Sequence, residues 1–252
     1  MNSMVGKANN RFGPSWLDSQ LGRYVQAQEQ KLFDAAVADI FGFNALQLGV
    51  PQADFLQNAR IPYLLKVGPE ATGVSCDYEQ LPFANSSIDL LVMPHVLDFS
   101  QYPQQALREA ERVLLPEGHI VLTGFNPISP WGLRRLLSRR CASSSSLWHA
   151  HFFSASRIKD WLNLLGFEVV ATQMACHQLP FQTNRWLQRF HMFEKMGRHC
   201  WPMFGAVYCI VAKKRVLGMR VIKPNWKAAK VRARFAATSS QKEEALEVNR
   251  QQ

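Results

Sequence analysis

The residues with chemical capacity in this chain gather at the ends of short apolar runs. Gln47 and Gly49 close the run at 44–48, Lys66 and Val67 close the run at 61–67 with Glu70 just beyond, and Asp77 and Tyr78 follow the run at 72–76. Pro94 and His95 follow residues 88–93 with Asp98 close behind, and Asn126 follows residues 119–124. A carboxylate such as Asp77 or Glu70 accepts hydrogen bonds, Lys66 only donates them, and the amides of Gln47 and Asn126 do both. A histidine at a strand end can orient a polar substrate group or take its proton, and the amide of Asn126 could hold such a group. His95 and Asn126 are therefore the candidate catalytic residues. Plainer roles stand beside these: Asp77 as an Asx-turn or helix cap ahead of Leu81, and Asp98 as a cap or a solvent-facing acid.

The elements that would position these residues follow a strand–helix–strand order. Residues 88–93 (IDLLVM) come after the polar turn Ala84-Asn85-Ser86-Ser87, and their nearly continuous apolar character suits a strand buried on both faces. Residues 103–115 carry Ala106, Leu107, Ala110, Val113 and Leu114 at helical spacing, opened by Pro103 and stopped by Pro116. Pro116-Glu117-Gly118 reads as a turn and residues 119–124 (HIVLTG) as the next buried strand, which makes a right-handed parallel crossover. Strand ends of such open sheets share one ligand crevice. Further expectations are an amphipathic helix over 15–41 that breaks near Gly22, a short helix over 53–59, a helix over 153–165 capped by Ser154 or Ser156 with Gly166 beyond it, and strands at 167–173 and 205–212.

Residues 77–126 resemble the class I S-adenosylmethionine-dependent methyltransferases of the small-molecule type. The similarity rests on Asp77, Leu81-Pro82-Phe83, Ile88-Asp89, His95, Leu107-Arg108-Glu109, Arg112-Val113-Leu114 and Pro116-Glu117-Gly118 in register, and extends more weakly over roughly 15–212. It implies an α/β fold: a Rossmann-like seven-stranded sheet, mainly parallel with an antiparallel last strand, and helices on both faces. It also implies S-adenosylmethionine as cofactor. Gln47 and Gly49 would face its methionine end, Glu70 its ribose, and Asp77 and Tyr78 its adenine, with Pro94 and His95 lining the pocket. Three departures bear on affinity: the second apolar run ends in Lys66-Val67 where the family has its ribose-binding acid, and the other two lie at the first turn. Gln47 stands where the family has an acid, and Pro51 removes an amide donor from the glycine turn. The resemblance thus leads to two readings: a methyltransferase of unknown substrate that holds its cofactor weakly, or a methyltransferase fold kept as a catalytically inactive binding or scaffold protein. Asn126-Pro127 is similar to the Asn-Pro pair of amino-group methyltransferases, but follows a different strand.

Length and composition fit one such domain with extensions. The chain has 252 residues, 47% of them hydrophobic, without an apolar stretch long enough to span a bilayer. Residues 1–14 read as disordered and lack the apolar segment of a secretory signal. Cys76, Cys141, Cys176, Cys200 and Cys209 are scattered and odd in number, so neither a disulfide framework nor a metal site follows, and free thiols in a cytoplasmic protein are expected. Residues 131–140 read as a basic amphipathic helix, either a lid, a contact for an anionic substrate, or a solvated face around Leu133, Leu136 and Leu137. The aromatic and basic insert at 174–204 is either a substrate-recognition element or a helical cap. The net charge of +10 owes much to residues 213–252. That stretch reads as a flexible basic tail, able to meet nucleic acid or an anionic surface or simply to be solvated, and dispensable for stability from Lys213 onward.

Overall fold

The computed structural model describes residues 19–68, 74–138, 150–176 and 205–216. Its centre is a six-stranded sheet of order β2-β1-β3-β4-β6-β5. The strands are β1 (Asn44–Leu48), β2 (Tyr63–Val67), β3 (Ile88–Pro94), β4 (Leu114–Phe125), β5 (Phe167–Ala175) and β6 (Val207–Lys214). β1 to β4 run parallel, and β6 inserts antiparallel between β4 and β5. The α/β class, the parallel majority and the antiparallel last strand agree with the sequence pattern. The strand expected over 72–76 does not form among the described residues. Only the bridge Val67–Val74 marks its place beside β2.

Side-chain alternation sends each strand's residues to two cores. Leu46, Leu91, Met93, Ile120, Leu122 and Ile210 face the helices α3 (Pro103–Val113) and α5 (Ala155–Leu164). Ala45, Leu90, Val92, Val121 and Cys209 face α1 (Gln20–Val37) on the other side. α1 is one uninterrupted helix. Its expected break at Gly22 is absent because Gly22 lies in the first turn and donates its N–H to the Ser19 cap at 3.0 Å. Residues 53–59 form turns rather than a helix, held by Ala53 N–H to Val50 O at 3.2 Å and Ala59 N–H to Leu56 O at 2.9 Å. The four-residue α2 (Val96–Phe99) follows β3 directly. α4 (Pro130–Ser138) buries Trp131 and leaves Leu133 and Leu136 exposed.

Two boundaries fall elsewhere than the sequence suggests. Pro116-Glu117-Gly118 lies within β4, as an irregularity in the β3–β4 register where Glu117 takes φ +66°. β6 runs past Ala212 to Lys214, and the basic residues there are bonded into the sheet. Lys214 Nζ meets Glu111 Oε1 at 2.8 Å and the Leu114 carbonyl at 3.0 Å, Lys213 pairs with Glu117 at 2.8 Å, and Arg215 pairs with Glu168 at 2.6 Å. A cut at Lys213 would therefore remove packed residues, so the domain boundary falls after Arg215 rather than at Ala212 and a cut at Lys213 is expected to lower stability.

Arg112 on α3 fixes the loop that leads into β3. It donates to Leu81 O at 2.9 Å, to Phe83 O at 2.8 Å, to Asn85 Oδ1 at 2.7 Å and to Glu109 at 2.8 Å, while Glu109 accepts the Leu81 N–H at 3.2 Å. One planar guanidinium so satisfies two loop carbonyls that would otherwise lack partners. Replacing Arg112 with Ala should destabilise the protein by about 2–3 kcal/mol, the scale of hydrogen bonds to a charged group. Thermal unfolding checks this, and an unchanged melting temperature would contradict the clamp.

Candidate functional site

The C-terminal ends of β1, β2 and β3 meet around two glycines. Gly49 takes φ +75° and donates to Val67 O at 3.0 Å, closing the turn after β1 against β2. A Cβ on Gly49 would lie 3.2 Å from Val96 Cγ2, 3.3 Å from the Tyr78 hydroxyl and 3.7 Å from the Pro94 carbonyl, and one on Gly68 would lie 3.5 Å from the Gly49 amide. The turn's shape comes from Gln47. Its fully buried amide donates to Val50 O at 3.2 Å and to Ala53 O at 3.0 Å, and accepts Phe55 N–H at 3.0 Å. Gln47 is thus turned into the loop's own backbone, and the ligand contact expected of its side chain is replaced by a loop-shaping role.

Asp77 stands at the mouth of this crevice with its side chain exposed. Its charge, after burial, helps push the Cys76 thiol up to about 11. Tyr78 turns inward and lays its phenol across Gly49 and Gly68. Glu79 ties this loop to the segment after α2, accepting from Ser100 Oγ at 2.7 Å. Glu70 lies outside the described residues.

His95 occupies the turn after β3 with φ +53°, a left-handed conformation that few non-glycine residues adopt. The side chain is almost completely buried. Nδ1 meets Asp98 Oδ2 at 2.8 Å, Nε2 meets Glu29 Oε1 at 2.7 Å, and the ring stacks on Phe125 with centroids 4.0 Å apart. Nδ1 is hydrogen-bonded to Asp98, whereas Nε2 and Glu29 form a close ion pair outside hydrogen-bond geometry, and a ring protonated on both nitrogens suits two acids best. Burial by itself pushes the imidazole down. The charge of Glu29, the hydrogen bonds to Asp98 and Glu29 and the charge of Asp98 outweigh it and raise the group to about 10. The two acids favour the charged ring, which has no lone pair to offer, and so count against a general-base role for His95.

Asp98 is raised, chiefly by burial, and opposed by His95 and by the Phe125 N–H that it accepts at 2.9 Å. Its Oδ1, the Thr123 hydroxyl and the Tyr208 hydroxyl are buried without hydrogen-bond partners among the described residues. Burial and then the charge of Asp98 hold the Tyr208 phenol well above its ordinary range. Asn126, the other catalytic candidate, is a staple. Its Nδ2 donates to Gly205 O at 3.0 Å and its Oδ1 accepts Ile128 N–H at 3.1 Å, which joins the end of β4 to the start of β6. An open groove of about 650 Å³ beside Asn44, Tyr63, Phe83 and Ile88 lies at the opposite, N-terminal ends of the strands and is separate from this crevice.

Comparisons with known proteins agree with this geometry. A family model described as a methyltransferase domain matches residues 25–122. The uncharacterized protein YafS of Escherichia coli K12 is 30% identical over 205 residues, spanning 80% of this chain and 81% of its own length. The chain belongs to the class I S-adenosylmethionine-dependent methyltransferase family. Among solved structures, a methyltransferase of Thermotoga maritima, described as a possible histamine N-methyltransferase, superposes with TM-score 0.58 at 19% identity, covering 80% of this chain and 94% of its own. A second, from Archaeoglobus fulgidus, gives TM-score 0.53 at 16% identity over 76% and 94%. These two show the shared fold.

Within the methyltransferase fold, the structure brings Gly49, Tyr78, Pro94 and His95 together at one crevice, with the exposed Asp77 next to Tyr78, and engages the Asn126 side chain with Gly205 and Ile128 at the neighbouring end of β4. Sequence reasoning missed Glu29. A signal was present: α1 buries Val25, Glu29, Phe33 and Val37 at intervals of one helical turn, and a glutamate on such a stripe implies a buried cationic partner. The folded-state value of His95 lies above that of an unfolded histidine, so its contribution to stability is full below about pH 6.5 and is lost as pH rises through about 10. Histidine Cε1–H NMR should show this ring untitrated up to about pH 9. A midpoint near neutrality would refute the ion-paired state.

Proposed function

We propose that this chain transfers the methyl group of S-adenosylmethionine to a small-molecule acceptor at the strand ends around Gly49. The exposed carboxylate of Asp77 carries the reading, because it offers an acceptor for an adenine amino group directly before Tyr78, whose phenol lies against Gly49 and Gly68. The residues fit the adenine end of the cofactor. Tyr78, Pro94 and Val96 would hold the adenosine against Gly49 and Gly68, and Glu70 would accept from the ribose hydroxyls. The cofactor supplies an electrophilic methyl on a sulfonium. The chain's part is to hold the acceptor in line with it and keep water away, which requires few reacting side chains.

In this reading no described side chain is left to serve as the base: His95 is paired with Glu29 and Asp98, Asp98 is committed to His95, and Asp77 serves the adenine. The acceptor is therefore a group nucleophilic without help, such as a neutral amine, a thiolate or a carboxylate. Asp77→Ala should weaken S-adenosylmethionine binding by about 1–3 kcal/mol. Titration calorimetry on wild type and variant tests this, and equal affinities would remove Asp77 from the site.

A second reading has its own observation. The Tyr78 hydroxyl fills the space over Gly49, and Gln47 and the Gly49 amide are engaged internally, which together favour weak binding or a fold retained as a scaffold. Submicromolar affinity in the same titration would overturn this second reading. A folded protein that takes up no cofactor at millimolar concentration would support it. The basic residues after 216 and the insert at 177–204 are assigned to partner or substrate contacts, with an anionic surface or nucleic acid as the partner matching the charge.

A further inference from the structure

The turn that shapes the crevice is held by a residue far from it in sequence. Pro94, His95 and Val96 present a carbonyl and a methyl group to Gly49, yet their path depends on His95 staying left-handed at φ +53°. Such a conformation is strained in a non-glycine residue and persists only where surroundings over-determine it. The backbone bond from His95 N–H to Thr123 O at 3.1 Å anchors one side of the turn. The ring supplies the rest through Asp98, Phe125 and Glu29. Asp98 and Phe125 lie beside the turn, on α2 and at the end of β4. Glu29 alone comes from α1, whose buried stripe also packs against the loop after β1 through Phe33, which sits 4.5 Å from Phe55.

We propose that Glu29 is a positioning residue of the cofactor site, which acts through His95 to fix the turn at residues 94–96 against Gly49. This rests on the cofactor reading above. α1 and the glycine turn then behave as one unit, and geometry rather than net charge is what Glu29 contributes. The groups facing the ion pair are Glu29 from α1, Asp98 from α2, and Tyr208 and Cys209 from β6. Both β6 groups are held neutral: burial and Glu29 push the Cys209 thiol up to about 12, and Tyr208 is raised well above its usual range. Within this cluster His95 is the one group whose charge the pair with Glu29 controls.

The test compares wild type, Glu29→Leu and Glu29→Gln in binding of S-adenosylmethionine and of its neutral demethylated product, from about pH 6 to 9. The Glu29→Leu substitution leaves Nε2 of His95 without a partner. The ring then titrates near or below neutrality, and both ligands should bind about tenfold or more weakly, with the loss growing as pH rises. The amide introduced by Glu29→Gln can donate to a neutral Nε2 or accept from a charged one, so this variant should retain wild-type affinity with a flat pH profile. Unchanged affinity in Glu29→Leu, a loss confined to the sulfonium ligand, or a Glu29→Gln variant no better than Glu29→Leu would each overturn the proposal. If Glu29→Leu does not fold, Glu29→Gln decides alone: retained affinity with a ring that titrates near neutrality supports positioning, and lost affinity overturns it. If wild type binds neither ligand, the cofactor reading fails. Amide exchange at residues 95–99 then decides the positioning role: faster exchange in Glu29→Leu, or in Glu29→Gln where only that variant folds, supports it, and equal exchange overturns it.

Discussion

An imidazolium held between two buried carboxylates is the constraint on which the strand ends depend. Removing three ionisable groups from water costs several kcal/mol per charge, and mutual attraction repays that only when geometry is close and hydrogen bonds are complete. Here the distances are 2.7 and 2.8 Å, Nδ1 is hydrogen-bonded to Asp98 while Nε2 makes a close ionic contact with Glu29 outside hydrogen-bond geometry, and a backbone N–H adds a further bond to Asp98. Partners on α1 and α2 oblige the helix and the post-β3 turn to stay in register with the sheet. The ring's stacking on Phe125 carries the constraint to the end of β4, where Phe152 stacks on the same ring at 5.0 Å and Arg135 lies over Phe152 at 4.7 Å. The turn against Gly49 and the end of β4 are thereby braced by one residue.

The same arrangement explains what the sequence discloses and what it withholds. The crossover from β3 through α3 to β4 is legible because its apolar spacing and prolines are local signals. The signature shared with the family is legible too, but its parts prove to be ties. Arg112 and Glu109 grip Leu81 and Phe83, and Asp89 accepts the Phe43 and Asn44 N–H groups at 2.9 and 3.0 Å. Such residues satisfy the carbonyls and amides of the loop into β3, which announces a fold and leaves its chemistry unstated. The misread residues are those whose partners are non-local. His95 reads as a base because its acids cannot be seen together in the chain, Asp98 being one helical turn onward and Glu29 lying on a separate helix far upstream. Gln47 reads as a diminished ligand because the loop it binds has no periodic pattern to reveal its need for a donor.

Inward use of polar groups is the common thread of this site. Gln47, the Gly49 amide, His95, Asp98 and Asn126 all have the residue types of ligand-binding groups, and all are engaged by the protein itself. Asp77 remains turned outward, and the Tyr78 phenol lies over the glycines. Polar capacity directed into the scaffold raises rigidity at the expense of contacts with a ligand. A crevice built this way recognises a partner by shape and by a few bonds at its rim, so its selectivity resides more in what fits than in what is gripped.

That balance bears on the kind of reaction the site can support. Methyl transfer from a sulfonium needs alignment more than proton transfer, and effective concentration alone supplies a large part of the barrier reduction. A histidine that fixes the post-β3 turn through two buried acids is withdrawn from service as a base and lends the crevice a braced geometry. The exchange is favourable only where the acceptor brings its own lone pair. An alcohol or an ammonium ion would require a proton to leave before or during attack, and in the proposed arrangement Asp77, the exposed carboxylate at the rim, is taken by the adenine rather than held for that proton. A neutral amine can lose its proton to water after attack, and a thiolate or carboxylate has none to lose. Under the proposed methyl transfer, the pairing of His95 with two acids thus reaches beyond the stability of one turn and favours acceptors of that class.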